Sequence, residues 1–275
     1  MIFESGRARI EVDEALGGRL ASFCIDGLEL LVREHDAAAE SVLHWGCYPM
    51  APWCSRVRDG VFAFEDRCYS LPLRMPPHAI HGTVLDRTWT IDARDEGGCA
   101  LSIELGSDWP FAGHARQRVQ LSEDALELTL EVHATTSPFP ASLGWHPWFR
   151  RRLARGEAAQ LEFEAASIYV RDERDLPTGE IRTPGPGPYD DCFTGVERDP
   201  VLRWPGALEL MLSSNLDHWV VYDAPAHAIC VEPSSGPPDA LNIAQRIVAP
   251  GEPLIGHFRI AWELPSPTAS AARHD

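Results

Sequence analysis

The alternation of apolar and polar residues is the feature of this sequence that most constrains its fold. In ALELTLEVHA (125–134), every second residue from Leu126 to Val132 is apolar, and the residues between them are polar. HFRIAWEL (257–264) repeats the pattern. Because successive side chains of a strand point to opposite faces, these segments predict strands with one buried face, as in antiparallel sheets.

Turn residues separate further segments of the same kind, and helical periodicity is scarce. DALNIAQ (239–245) and EHDAAAESVL (34–43) each predict a short helix or a turn. The chain has no strand–helix–strand rhythm, which disfavours a parallel nucleotide-binding sheet. The sequence therefore predicts an all-β protein with a large antiparallel β-sandwich of two broad sheets. The further alternating segments are RARIEVD (7–13), ALSIEL (100–105), ARQRVQL (115–121) and LELML (208–212).

No break in composition divides the chain into two domains. Residues 1–265 are predicted to form a single domain, and the Ser- and Ala-rich tail 266–275 is predicted to be disordered. The stretch richest in Pro and Gly, TPGPGPYDDCFTG (183–195), predicts a long surface loop. No pattern in the sequence specifies an oligomeric state.

The charge and cysteine content limit the partners and the compartment. The formal net charge is −17, from 24 basic and 41 acidic side chains. Such a field repels nucleic acid and anionic membrane surfaces, so a neutral small molecule is the expected partner. The seven cysteines form no CxxC pair, and neither a signal peptide nor an apolar run of about 18 residues is visible. We therefore expect a cytoplasmic protein.

Polar side chains combine with turn residues in four short stretches. His146 lies between aromatic residues, where a histidine is commonly a packed core residue. Glu232 ends the apolar segment AHAICVE (226–232), so its carboxylate is either solvated or buried with a shifted pKa. The four stretches are CSRVRDG (54–60), PPHAIHG (76–82), GWHPWF (144–149) and CVEPSSGPPDALN (230–242).

Taken in this order, the stretches resemble the aldose 1-epimerase (galactose mutarotase-like) family. The likeness spans nearly the whole chain, from GGRLASFCIDGLELL (17–31) through Trp89 and YDDCF (189–193) to APGE (249–252). It implies the β-supersandwich fold of that family, in agreement with the alternation. It also implies a cofactor-independent isomerase that interconverts the α and β anomers of a free aldose such as glucose or galactose.

The resemblance implies roles for five residues. His146 matches the general acid in the family's Gly-x-His-Pro-x-Phe segment, and Glu232 matches the general base. Arg56, His81 and Asp190 match substrate-binding residues in the Asn-Arg-Ile-x-x-Gly, His-Gly and Asp-x-x-Phe segments. For the acid role, we expect His146 to be protonated, or readily protonated, near neutral pH. The resemblance implies no metal and no cofactor.

Four positions depart from the family pattern. Ser55 replaces the usual asparagine before the arginine, Val57 replaces isoleucine, and His78 lies where an asparagine is common. Trp148 replaces a common tyrosine. Because the acid and base positions are intact, the departures bear on the identity of the sugar more than on the reaction.

Two alternatives keep the fold and change the function. A mutarotase for a sugar phosphate or another acidic sugar needs arginines at the pocket to bind the extra anion. A sugar-binding protein that has lost catalysis needs only the pocket. The arginines considered for the first alternative are Arg74, Arg116, Arg118, Arg150, Arg151 and Arg152.

Two other enzyme classes fit the residues less well. A metalloenzyme that uses His78, His81 and His146 is disfavoured, because the first two lack the i, i+4 helical spacing of zinc-protease motifs. No cysteine or carboxylate completes a convincing set in the sequence. A glycoside hydrolase needs two carboxylates, for which Asp190 and Glu232 are the available pair.

Overall fold

The computed structural model describes residues 1–265 of the chain, and antiparallel strands dominate it. Within that range, helix is limited to the α-helix Ala240–Ile243 and the 3₁₀ turn Arg58–Gly60. The predicted all-β class is confirmed. The helices in this part of the chain are too short to cross a lipid bilayer. The tail predicted to be disordered, 266–275, lies outside the described residues.

Twelve strands in the described part of the chain form one sheet, which we call the large sheet. Leu28–Glu29 pairs with one member of this sheet, and Phe149–Arg150 pairs with another. The other ten strands are, in the order of hydrogen-bonded neighbours, Ile2–Ser5, Ala8–Asp13, Arg19–Ile25, Cys47–Met50, Gly144–Pro147, Ala228–Ser234, His218–Tyr222, Asp190–Thr194, Ser167–Arg171 and Pro177–Arg182.

A second sheet, which we call the small sheet, has eight strands among the described residues. In spatial order they are Thr90–Arg94, Gly98–Glu104, Gly113–Leu121, Ala125–Ala134, Leu254–Glu263, Leu208–Ser214, Val201–Trp204 and Gln160–Glu162. Three two-stranded ribbons pair Phe139–Ala141 with Arg246–Val248, Arg56–Val57 with Ala79–Ile80, and Val61–Phe64 with Arg67–Ser70.

The two sheets pack face to face through the alternating apolar positions. The inward face predicted for Leu126–Val132 is confirmed, since its four apolar side chains are at most 2% exposed. Phe258 of the small sheet contacts Trp145 and Trp219 of the large sheet, with ring centroids 5.9 and 6.2 Å apart. Burying each such side chain contributes about 1.5–3 kcal/mol. The main core therefore lies between the sheets.

The same alternation places the predicted acid and base outside this core. Trp145 faces the small sheet, so its neighbour His146 points to the opposite face of the large sheet. Val231 belongs to the core between the sheets, so Glu232 also points away from it. Both residues consequently lie on the outer face of the large sheet.

One local prediction is corrected by the structure. The Pro/Gly-rich stretch 183–195 is not a loop throughout, because Asp190–Thr194 forms a strand that pairs with His218–Tyr222. That strand brings Asp190 into the large sheet. Of the two segments predicted as short helices or turns, 34–43 forms turns and bends, whereas Ala240–Ile243 is helical.

Gly144 allows close contact between the strands that carry His146 and Glu232. It pairs with Met50 on one side and with Ser234 on the other. A β carbon at this position would lie 2.4 Å from the carbonyl oxygen of Pro233. Any larger residue would therefore push the two strands apart.

We expect Gly144→Ala to destabilise the protein by about 1–3 kcal/mol, because the added carbon overpacks the strand interface. The matched control is Gly185→Ala, where the nearest atom would be 4.0 Å away. The control should change stability by no more than about 0.5 kcal/mol. Urea unfolding followed by tryptophan fluorescence measures both. Equal effects of the two substitutions would contradict the close approach at Gly144.

Candidate active site

A row of side chains on the outer face of the large sheet forms the floor of a pocket. The register that pairs Gly144 with Ser234 continues to place His146 opposite Glu232. On the other side, His146 is directly opposite Tyr48. Because directly opposed residues of antiparallel strands have β carbons about 4.5–5.5 Å apart, the backbone register alone brings the imidazole and the carboxylate together.

A second row lies beside the first, on the strands Asp190–Thr194, His218–Tyr222 and Ala228–Ser234. Asp190 is opposite Tyr222, and Tyr222 is opposite Cys230. Asp190 and Tyr222 line the pocket together with Trp148. The thiol of Cys230 is fully buried below them. The floor therefore combines aromatic rings with two carboxylates, which suits a ligand that has both apolar and hydroxylated faces.

The ribbon of Arg56–Val57 and Ala79–Ile80 forms one wall of the pocket. It supplies Arg56 directly and positions His81 at its end. The next residue, Gly82, has φ +78°, and a β carbon there would lie 1.9 Å from the carbonyl oxygen of Ala51. The glycine after His81 is therefore required for the chain to pass this close to Ala51.

A buried carboxylate fixes the ribbon in place. The side chain of Asp239 accepts hydrogen bonds from the backbone N–H of Arg58 (2.9 Å) and from Nδ2 of Asn242 (2.8 Å). Its backbone N–H donates to the carbonyl oxygen of Arg56 at 2.7 Å. Asp239 thus links the segment after Glu232 to the wall that carries Arg56.

The structure brings all five residues singled out from the sequence into one pocket of about 640 Å³, counting the space at its open mouth. The five residues that line it together are Arg56, His81, His146, Asp190 and Glu232.

His146 and Glu232 form a buried pair at the bottom of the pocket. Nε2 of His146 lies 3.3 Å from Oε1 of Glu232, and the two side chains are 8% and 4% exposed. The indole of Trp148 stacks on the imidazole with a centroid distance of 5.1 Å and an angle of 6°. The ring of Tyr48 lies beside the imidazole, with the two ring centroids 5.0 Å apart. Packed rings therefore hold the imidazole plane in position.

Burial opposes charge on both members of the pair. Desolvation, with smaller contributions from His44 and two arginines, lowers the pKa of His146 to about 3. Desolvation and the neighbouring charge of Asp190 raise the pKa of Glu232 well above its usual value, against a lowering effect of Arg56. The imidazole is therefore neutral near pH 7 in this structure, whereas the sequence led us to expect a protonated or readily protonated ring.

His81 has a defined tautomer. Its Nδ1 accepts a hydrogen bond from the backbone N–H of Ser55 at 3.1 Å, so the ring proton is on Nε2. Burial, with the nearby charges of His146 and Arg56, holds the pKa of His81 well below its ordinary value. His81 is thus a neutral N–H donor in the pocket wall.

The charged residues at the mouth are only loosely paired. The guanidinium of Arg56 lies 3.8 Å from the carboxylate of Asp190, and Arg171 approaches the same carboxylate at 4.0 Å. Both distances exceed that of a good hydrogen bond. The donors of Arg56 and the oxygens of Asp190 thus retain capacity for a polar ligand.

Comparison with known proteins identifies the family. The family model described as aldose 1-epimerase matches residues 14–261. The chain belongs to the aldose 1-epimerase family. Among curated relatives, the uncharacterized protein YihR of Escherichia coli K12 is 24% identical over 169 residues, 59% of this chain and 54% of that protein. The aligned part of the chain thus spans about half the length of YihR.

Solved structures confirm the fold expected for an aldose 1-epimerase family member. A galactose mutarotase-like protein from Clostridium acetobutylicum superposes with a TM-score of 0.83 at 16% identity, covering 96% of this chain and 95% of that protein. The galactose 1-epimerase of Lactobacillus acidophilus NCFM gives a TM-score of 0.79 at 16% identity, covering 96% and 93%. At this level of identity, the likeness establishes the architecture.

Several pocket residues of this family member were missed in the sequence. His44, Tyr48 and Tyr222 line the pocket, although none belongs to the stretches that carry the resemblance. Tyr48 was detectable only through its pairing with His146, and Tyr222 through its pairing with Asp190. Long-range register of this kind leaves no local signal in the sequence.

The three histidines considered for a metal centre do not assemble. His78 is not among the residues that line the pocket, and its Nδ1 accepts the backbone N–H of Asp59 at 3.1 Å. The structure does place a thiol beside the His146–Glu232 pair: Cys230, His146 and Glu232 have donor atoms that all lie within 4.8 Å of one another. This cluster, which contains neither His78 nor His81, was not predicted from the sequence.

Replacing the buried carboxylate should increase stability in a pH-dependent way. Because the folded-state pKa of Glu232 is raised, ionisation destabilises the folded protein as the pH rises from about 4.5 through that pKa. We expect Glu232→Gln to match the wild type near pH 4.5 and to become progressively more stable than it between pH 5 and pH 8. Thermal unfolding across this range measures the difference.

The matched control for this measurement is Glu180→Gln, on an exposed strand of the same sheet. Its stability relative to the wild type should not change with pH. If the stability of Glu232→Gln relative to the wild type were also independent of pH, the carboxylate at 232 would not be desolvated in the folded protein.

Proposed function

We propose that the protein is an isomerase that interconverts the α and β anomers of a free aldose such as glucose or galactose. The observation that carries the proposal is the contact of His146 with Glu232, 3.3 Å apart, on the floor of a pocket that Arg56, His81 and Asp190 also line. Membership of the aldose 1-epimerase family supports the same class of reaction.

The reaction requires two proton transfers at one anomeric centre. A base removes the proton of the anomeric hydroxyl while an acid protonates the ring oxygen, and the ring opens to an aldehyde. Rotation about the C1–C2 bond and closure on the other carbonyl face, with the roles reversed, give the other anomer. Two positioned proton-transfer groups suffice, each contributing about 10²–10⁴-fold in rate.

Glu232 is the proposed base. Burial raises the pKa of this carboxyl, so its carboxylate binds a proton more tightly than an exposed glutamate does. The glutamate lies on the strand Ala228–Ser234, in which every residue is buried.

His146 is the proposed acid, and it shares one proton with Glu232. An imidazole with a pKa of about 3 is a strong acid when protonated. Its protonated form beside an ionised Glu232 has the same total proton count as a neutral imidazole beside a carboxylic acid. The competent pair therefore carries a single proton, and catalysis requires only that the pair neither gain a second proton nor lose the first.

The other pocket residues bind the sugar in this proposal. His81, with its proton on Nε2, donates to a sugar oxygen, and Arg56 stabilises negative charge that develops as the ring opens. Asp190 accepts hydrogen bonds from hydroxyl groups. Each role uses hydrogen-bonding capacity that remains free in the structure.

The distribution of arginines favours a neutral sugar over a sugar phosphate. Among the residues that line the described pocket, Arg56 is the only arginine. Arg74 is ion-paired with Asp86, and Arg150 with Asp36. The other arginines considered as phosphate ligands also lie outside the pocket lining: Arg116, Arg118, Arg151 and Arg152.

Loss of either proton-transfer group should abolish most of the activity. We expect Glu232→Gln and His146→Asn each to slow the mutarotation of freshly dissolved α-glucose or α-galactose by about 10²–10⁴-fold, because each removes one proton transfer. Polarimetry measures the rate, and the exposed-site variant Glu180→Gln should retain wild-type activity. Wild-type activity in Glu232→Gln would refute the base assignment; in His146→Asn it would move the acid role to His81.

The upper pH limit of activity should follow the charges around Glu232. That limit marks the loss of the shared proton, so it tracks the raised pKa of Glu232. Asp190→Asn removes a negative charge that raises the pKa of Glu232, so the upper pH limit of kcat/KM should move to lower pH. Arg56→Gln removes a positive charge that lowers the pKa of Glu232, so the same limit should move to higher pH. Limits that stay fixed, or that move in the same direction, would contradict the one-proton pair.

Substrate preference separates the neutral sugar from its phosphate. With Arg56 as the only arginine of the pocket lining, we expect kcat/KM for glucose to exceed that for glucose 6-phosphate by at least tenfold. Rates of anomer exchange measured by NMR for both sugars test this. A preference for the phosphate would show that other arginines move into the pocket on binding.

A further inference from the structure

The strand that carries Glu232 also places a thiol beside the acid–base pair. Cys230 is two residues earlier and therefore on the same face of the strand. Its sulfur, a ring nitrogen of His146 and a carboxylate oxygen of Glu232 all lie within 4.8 Å of one another, and all three side chains are buried. The catalytic roles proposed above make no use of this thiol.

Two of the three donors have the spacing of zinc ligands. Nε2 of His146 and Oε1 of Glu232 are 3.3 Å apart. Zinc binds nitrogen and oxygen donors at about 2.0–2.2 Å in a tetrahedral arrangement, which puts such donors about 3.3–3.5 Å from each other. A set of sulfur, nitrogen and oxygen donors suits Zn²⁺ or Co²⁺ better than Mg²⁺ or Ca²⁺, which take oxygen ligands.

Charge balance also favours a divalent cation at this position. A thiolate at Cys230, a carboxylate at Glu232 and a neutral His146 together neutralise two positive charges. A neutral imidazole offers its lone pair to a metal. A neutral assembly avoids the cost of an uncompensated charge in a buried site.

We propose that Zn²⁺, or a similar thiophilic divalent cation, binds His146, Cys230 and Glu232 and inhibits the enzyme. Binding forms three metal–ligand bonds and releases the thiol proton of Cys230, together with any proton shared by the other two residues, to solvent. No electron is transferred. Because His146 and Glu232 line the pocket, the bound cation occupies the groups that would act on the anomeric centre and competes with the sugar.

The surroundings of the site indicate reversible rather than permanent binding. Zinc-ligating histidines normally hydrogen-bond through their second ring nitrogen. Nδ1 of His146 has no hydrogen-bond partner among the described residues. The positive charge of Arg56 at the pocket wall also opposes a cation. We therefore expect a regulatory or adventitious metal that chelators remove, and no metal requirement for activity.

Co²⁺ binding tests the site independently of catalysis. The wild-type protein should give the thiolate-to-cobalt charge-transfer band and the visible absorption of tetrahedral Co²⁺, both removed by Zn²⁺. Cys230→Ala should lose the charge-transfer band, while Cys68→Ala, at an exposed cysteine, should keep it. Absence of the band from the wild type, or its persistence in Cys230→Ala, would overturn the proposal.

Inhibition supplies the second measurement, and it rests on the proposed function. Zn²⁺ should inhibit wild-type mutarotation competitively with the sugar, EDTA should restore the rate, and Cys230→Ala should need at least tenfold more Zn²⁺. Cys230→Ser, closer in volume to the native residue, replaces the alanine variant if circular dichroism shows that the latter is unfolded. Cobalt binding without any mutarotation would refute the proposed function and leave the metal site standing.

Discussion

The register between Gly144–Pro147 and Ala228–Ser234 is the constraint on which the site depends. It sets His146 directly opposite Glu232, while the neighbour of each residue packs into the core between the sheets. A slip of one residue would reverse the faces of a whole strand and bury a charged group in the core. One register therefore determines both the packing of the core and the contact between His146 and Glu232.

Burial gives this pair its chemical character. Aromatic rings and neutral thiols surround the imidazole and the carboxylate, so both groups resist ionisation. In such surroundings a carboxylate is a stronger base and an imidazolium a stronger acid than in water. The same proximity of imidazole, carboxylate and thiol creates a set of ligands for a thiophilic cation. The proposed proton-transfer site is thus also the proposed site of inhibition by metal.

The strands and the identity of the key residues were accessible from the sequence, because both have local patterns. Alternation predicted the core strands, and short motifs predicted that His146 and Glu232 belong to one site. The strand Asp190–Thr194 was missed, because it follows a Pro/Gly-rich segment and pairs with a strand that is distant in the chain. The neutral state of His146 and the position of Cys230 depend on packing between separate strands, which no local pattern encodes.

Two-dimensional exchange NMR on an equilibrium mixture of sugar anomers is the decisive measurement for the proposed proton exchange between His146, Glu232 and the two oxygens of one anomeric centre. The account predicts cross-peaks between the α and β anomeric signals of glucose or galactose that grow with protein concentration, with no added metal or cofactor. Sugar signals that broaden on binding while α-to-β exchange stays at the rate in buffer would contradict it.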